Sequence, residues 1–270
     1  MSNEQHKGTA VITGASTGIG ATYADRLARR GYDLILVARN GQRLDAVAAR
    51  LRSETGRTVQ TIVADLTKRS DLEKVEHVLR TDATVSVLVN NAGTASLAPL
   101  GTADIDKLNS EIELNIVVPT RLSHAVLPGL VSRARGAIIN IASVMSQLIQ
   151  PGNTVYGGTK AYLLHLSQVL NTEVGGSGVQ VQAVLPGATR TEIWSNSGID
   201  LDAAFPAEMI MEVGEMVDAA LAGLDSGETV TIPSLPDTAD WQRLIDARDA
   251  LRPNLSRQHP ASRYAVAVKA

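Results

Sequence analysis

Short runs of Val, Ile and Ala alternate with longer amphipathic segments along most of the chain, and no other feature limits its possible folds as strongly. The runs Thr9–Thr13, Asp33–Ala38, 58–64, 86–89, 137–141 and 179–185 are nearly continuous in apolar residues, with 229–232 a candidate seventh. A strand with one wet face alternates apolar and polar residues, so continuous runs predict strands covered on both faces. Helical patterns fill the intervals at 18–30, 42–54, 69–80, 103–133 (one helix or two), 156–174 and 206–224. The first ends in Arg29, Arg30 and Gly31, which suits a helix C-terminus. This order predicts right-handed crossovers and an α/β fold: a doubly wound parallel sheet of about seven strands with helices on both faces.

At 270 residues, without repeats or a low-complexity linker, the chain reads as one domain. The pattern changes after Ile232, where Pro233, Pro236, Pro253 and Pro260 interrupt a tail with one helical stretch near 239–251. Residues 1–232 are therefore expected to carry the function. Residues 233–270 are expected as an extension that packs on the same domain, covers the site or joins a partner subunit. The net charge of −3, without blocks of like charge, argues against a nucleic-acid or membrane partner. The chain has no cysteine, so disulfides and thiolate metal sites are excluded and a reducing compartment fits. Residues 1–8 are polar, and no apolar run reaches the roughly 18 residues of a membrane span. The expected location is the cytoplasm. The five histidines lack ligand spacing and the acids are scattered, so no metal site is expected.

The first strand runs directly into Thr13-Gly14-Ala15-Ser16-Thr17-Gly18-Ile19-Gly20, and a helix follows. Glycines there permit a tight turn and a close approach to a pyrophosphate, whose charge then sits at a helix N-terminus. Other loops after strands hold Asp65-Leu66, Asn90-Asn91-Ala92-Gly93 and Pro186-Gly187-Ala188-Thr189-Arg190-Thr191. Over residues 7–232 this set, in this order, resembles the short-chain dehydrogenase/reductase family. The resemblance implies a Rossmann-like dinucleotide-binding catalytic domain. It places the cofactor against Gly14, Ser16, Thr17, Gly18, Ile19, Gly20, Asp65, Leu66, Asn91, Ala92, Gly93, Pro186, Gly187, Thr189 and Thr191.

The end of the second strand bears on the choice of cofactor. A free ribose hydroxyl is usually held by an acid there, whereas a 2′-phosphate needs a cation. Ala38 stands at the acid's position and Arg39 follows, which favours NADP(H) over NAD(H). Thr17 occupies a position where many NADP-preferring relatives place a second base, so the preference is expected to be moderate.

Tyr156 and Lys160 lie four apart at a helix start and share one face. A nearby ammonium stabilises a phenolate, so Lys160 is expected to lower the pKa of Tyr156. Ser143 follows the fifth strand, and Asn115 interrupts the apolar stretch 103–133. Taken singly, each has an ordinary structural reading, as a surface pair or a satisfied core amide. Together they match the family's tetrad. The resemblance implies Tyr156 as acid/base, Ser143 on the substrate oxygen and Lys160 on the cofactor ribose. Asn115 would serve a proton relay, and Tyr156 and Lys160 would also touch the cofactor. Gly157 and Gly158 replace larger residues and leave room for a substrate or a partner helix.

The expected reaction is hydride transfer between NADP(H) and a carbonyl/alcohol pair, with a ketone or aldehyde reduced. The alternatives are an NAD-dependent alcohol or steroid dehydrogenase and a non-catalytic dinucleotide-binding protein. Expected substrate contacts are Val144, Gln147, Ile149, Ala188, Ile193 and Trp194. The loop-like stretch 192–206 reads as a lid. Surplus apolar positions on the sixth helix (Leu163, Leu164, Leu166, Val169 and Leu170) and the family's habit point to a homodimer or homotetramer.

Overall fold

The structure is a computed structural model, and it describes residues 7–264. Strands β1 (Thr9–Thr13), β2 (Asp33–Ala38) and β3 (Val59–Val63) alternate with helices α1 (Gly18–Arg29), α2 (Gly41–Thr55) and α3 (Arg69–Thr81). After β4 (Val85–Asn90) come α4 (Ile105–Ile112), α5 (Val118–Ser132), β5 (Gly136–Ile141), α6 (Thr154–Glu173) and β6 (Val179–Val184). Two single-turn helices, α7 (Ile193–Asn196) and α8 (Leu201–Ala204), precede α9 (Val213–Asp225) and β7 (Val230–Thr231). All seven strands are parallel, in the order β3-β2-β1-β4-β5-β6-β7. The expected doubly wound sheet is present. Its order reverses between β1 and β4, which opens the crevice where such sheets bind ligands.

Successive strand residues feed two separate cores. Ile12, Leu36 and Val89 face Tyr23, Leu27, Leu44, Met216 and Leu221 on one side. Val11, Val37 and Leu88 face Leu72, Val75, Leu122, Val126 and Leu130 on the other. Both faces are dry, which is why these runs are continuous in Val, Ile and Leu. Burying each such side chain contributes on the order of 1.5–3 kcal/mol, so the strand ends are held firmly.

The stretch 103–133 departs from one regular helix. A π turn, Glu113–Val117, separates α4 from α5, and the Val118 N–H bonds to the Glu113 carbonyl. Pro119 explains the break: it has no N–H to offer the carbonyl four residues earlier, that of Asn115. This composite helix, Ile105–Ser132, also corrects the expectation that no apolar run approaches a membrane span. By length and composition alone it is long and apolar enough to cross one, and 44% of its most apolar window is buried. Leu122, Ala125, Val126 and Leu130 of α5 belong to the second core.

Further along, 192–206 is not a plain loop but holds α7 and α8, and Trp194 meets Phe205 edge-on at 5.1 Å. The stretch 206–224 opens with a 3-10 turn, Ala207–Met209, and α9 starts only at Val213. Of the apolar positions on α6, Leu163 and Leu164 are buried, and Val169 is exposed. A second compact unit begins at Ser234. Within it α10 (Thr238–Asp249) is capped by Asp237, whose side chain accepts from the Ala239 N–H at 2.8 Å, and none of its residues is buried.

Candidate active site

The loops after β1 and β4 are stitched together at the switch point. The Thr13 hydroxyl donates to the Val89 carbonyl (3.2 Å) and accepts from the Asn91 and Ala92 N–H groups (both 3.0 Å). The Asn91 amide donates to the carbonyls of Thr13 (2.9 Å) and Gly14 (3.2 Å). Gly14 has φ +66°, and a Cβ there would lie 2.8 Å from that amide nitrogen. A side chain on Gly20 would overlap the Gly14 carbonyl. Both positions are therefore glycine by necessity. Thr17 caps α1 without a side-chain bond, and no acid stands in the helix's first turn. Its free N–H groups and uncompensated dipole face the crevice, the arrangement an anion needs.

Beside this cradle Arg39 is exposed at the end of β2. Asp65 is half-buried, and its Oδ1 accepts from the Thr67 hydroxyl (2.7 Å) and N–H (3.2 Å). Leu66 is buried, so only its backbone can meet a ligand. Sequence reasoning missed Arg43, whose guanidinium donates to the Glu192 carboxylate at 2.9 Å. The two are 149 residues apart, and no local pattern announces the pair.

The four tetrad positions come together from three elements. Ser143 follows β5; its Oγ accepts from the Met145 N–H at 3.1 Å and donates to the Pro186 carbonyl at 3.5 Å. Asn115 sits in the π turn, where its amide donates to the Thr94 carbonyl (2.9 Å) and the Thr159 hydroxyl (3.1 Å). Its Oδ1 accepts from the Thr94 N–H (3.0 Å). Thr159, which the sequence reading passed over, thus ties Asn115 to α6, because its hydroxyl also donates to the Tyr156 carbonyl at 2.8 Å. Lys160 is buried; its Nζ donates to the Ile141 carbonyl at 2.8 Å and lies 5.6 Å from the Tyr156 ring centre. A Cβ on Gly93 would sit 3.1 Å from Asn115 Oδ1 and 3.6 Å from Lys160 Nζ, so only glycine leaves this wall open.

The electrostatics differ from the sequence expectation. Burial pushes the Tyr156 phenol up to about 12; the Ser143 hydroxyl opposes this, and the Glu111 carboxylate adds to it. The expected lowering by Lys160 is absent, because burial brings Lys160 itself down to about 8 and only Glu111 supports its charge. Gly157 is also explained differently: a Cβ there would meet the Met145 carbonyl at 3.2 Å, so it makes room for the turn after Ser143. Gly158 faces open space.

The expected substrate contacts divide. Val144, Ala188, Ile193 and Trp194 are half-buried, and the Trp194 indole N–H donates to the Thr189 carbonyl at 2.8 Å. Gln147 is exposed, with its amide on the Ser146 hydroxyl at 3.2 Å, and Ile149 is fully exposed. On the β6 side Pro186 and Thr189 are buried, Gly187 is exposed, and the Thr191 methyl would lie 3.5 Å from a Cβ on Gly18. Among the described residues, no group of three or more His, Cys, Asp or Glu side chains could hold a metal.

Residues 8–202 match the short chain dehydrogenase family model. The chain belongs to the short-chain dehydrogenase family. The family is one of oxidoreductases, and the cofactor its cradle is shaped to hold is a nicotinamide dinucleotide. The glycine cradle and the uncapped α1 terminus fit that group's pyrophosphate. This short-chain dehydrogenase is similar to one from Sphingobium yanoikuyae solved in complex with NADPH, with 50% identity and a TM-score of 0.91 over 95% of this chain and 100% of that one. A bulky-bulky ketone specific alcohol dehydrogenase from Comamonas testosteroni is 44% identical, with a TM-score of 0.87 over 95% and 98% of the two chains. Very-long-chain 3-oxoacyl-CoA reductase-B from Danio rerio is 36% identical over 188 residues, 68% of this chain. The match spans only 60% of that reductase's length.

Proposed function

We infer that this short-chain dehydrogenase is an NADP(H)-dependent reductase of ketones with bulky apolar substituents. The observation that carries the reading is geometric: Tyr156 and Lys160 on α6 come together with Ser143 after β5, and Lys160 Nζ lies 5.6 Å from the Tyr156 ring centre. The Tyr156 phenol holds a proton at neutral pH and is the group placed to donate it in a carbonyl reduction. When bound, the nicotinamide dinucleotide supplies the hydride. Ser143 hydrogen-bonds the carbonyl oxygen as negative charge develops there, and Tyr156 delivers the proton to that same oxygen. Lys160, anchored by the Ile141 carbonyl, would hold the cofactor's ribose.

Arg39 supports the NADP preference, since a guanidinium forks onto a 2′-phosphate and nothing acidic stands at Ala38. The NADPH complex of the Sphingobium relative supports it too. The apolar set Val144, Ala188, Ile193 and Trp194 and the ketone named for the Comamonas relative support the substrate class. Exposed Val131 on α5 and Val169 on α6 support a homodimer or a tetramer of dimers.

The test is a panel of ketones, aldehydes and alcohols read by NADPH and NADH absorbance. Faster oxidation of NADPH than of NADH with diaryl or aryl-alkyl ketones is expected. No turnover of any carbonyl or alcohol with either dinucleotide overturns the proposal.

A further inference from the structure

One buried titratable group lies beside the tetrad and has no part in the reaction as described. Glu111 on α4 is 0% exposed. Its Oε2 accepts from the Ser96 N–H at 2.7 Å, while Oε1 is buried with no hydrogen-bond partner. A carboxyl oxygen buried without a partner is costly to keep, so the position holds more than a stray acid. Glu111 is one turn before Asn115, and α4 packs against α6, which carries Tyr156 and Lys160. Residues 91–98, which pass between them, hold no titratable side chain.

We propose that Glu111 is a positioning residue whose carboxylate keeps the Tyr156–Lys160 pair loaded with its protons, and so biases the site towards reduction. A fixed negative charge in a dry site opposes formation of a phenolate and favours an ammonium. Both signs agree with the direction in which Glu111 moves Tyr156 and Lys160. Burial raises the pKa of Glu111 on balance, and the Ser96 hydroxyl, the Ser96 N–H and the Lys160 ammonium oppose that rise. The inference rests on the acid role of Tyr156 proposed above, but its test needs no substrate.

The experiment is an ultraviolet titration of phenolate absorbance in the cofactor-free protein, with the Tyr156→Phe curve subtracted so that Tyr156 is read alone. Glu111→Gln keeps an acceptor for the Ser96 N–H, and Glu111→Met keeps only the bulk; both remove the charge. Each is expected to lower the Tyr156 midpoint by about half to one pH unit, a three- to tenfold weaker hold on the proton. In ketone reduction the alkaline limb of kcat/KM should fall by the same amount. An unchanged or raised midpoint in either folded variant overturns the proposal. A shift in Glu111→Met alone also overturns it, because the effect would then follow the Ser96 bond. Loss of the fold in both variants makes Glu111 a structural residue and overturns it equally. A protein that reduces no ketone yet shows the midpoint shift sinks the reductase reading and leaves the charge effect of Glu111 standing.

Discussion

The two walls of the crevice are built in opposite ways. The wall after β1 and β4 is tied by side chain-to-backbone bonds from Thr13 and Asn91, and its glycines meet backbone at contact distance. The wall after β6 holds two single-turn helices and is tied by surface pairs, Arg190 with Asp202 and Glu212, and Glu192 with Arg43. Such exposed pairs contribute only about 0–1 kcal/mol each. The first wall resists rearrangement because moving it breaks several buried or part-buried bonds. The second can shift at little cost. A rigid wall suits a cofactor with an invariant pyrophosphate, and a loose one suits substrates that vary in shape.

The sharpest break of this contrast comes from the chemistry that the rigid side supports. Tyr156→Phe should cut kcat by about 100-fold or more and leave dinucleotide affinity nearly unchanged in fluorescence titration. Near-normal turnover would remove Tyr156 as the proton donor. Next in size, Arg39→Asp should weaken NADPH binding by roughly 10- to 150-fold, the scale of a lost charge-assisted hydrogen bond, while NADH binding holds or improves. Equal weakening of both would make Arg39 an adenine-stacking or structural residue. On the loose wall, Trp194→Ala deletes the ring contact with Phe205 and the bond to Thr189. A KM for bulky ketones raised about two- to tenfold, with dinucleotide affinity unmoved, is expected. A comparable loss of dinucleotide affinity would mean that the walls are coupled. The smallest effect should come from Glu192→Gln, which releases Arg43 in the first turn of α2, four residues after Arg39. NADPH affinity should rise by less than about fivefold, and the gain should fade with added salt.

The rigid wall was also the legible one. Gly14 and Gly20 face backbone that no Cβ can share, and Asn91 has one partner set it can satisfy, so these positions carry their geometry in their identity. The Tyr156–Lys160 spacing likewise follows from helix periodicity, whereas the charge state of the pair did not. That state depends on how deeply both are buried and on Glu111, an acid that looks like any other in a chain with 28 of them. A signal was present: Glu111 falls on the stripe of Leu108 and Asn115, where a carboxylate is out of place. The break in 103–133 was announced by Pro119, once its missing N–H is set against a carbonyl four residues back. Ile149 misled because it is apolar and close to Ser143, and hydrophobicity alone does not say which way a turn carries a side chain. The Arg43–Glu192 pair was invisible for another reason: it joins residues brought near only by the finished sheet.

The stitch made by Thr13 has a consequence for hydrogen exchange and for the heat of binding. Ligand loops usually open easily, and their amides exchange within the low-stability part of a protein's spectrum. Here the amides of Asn91 and Ala92 both donate to one buried hydroxyl that is itself bonded to β4. They should exchange on the timescale of the central strands, with or without dinucleotide. A crevice already this ordered loses little conformational entropy when filled, so calorimetry should find association with little ordering penalty on the β1–β4 side.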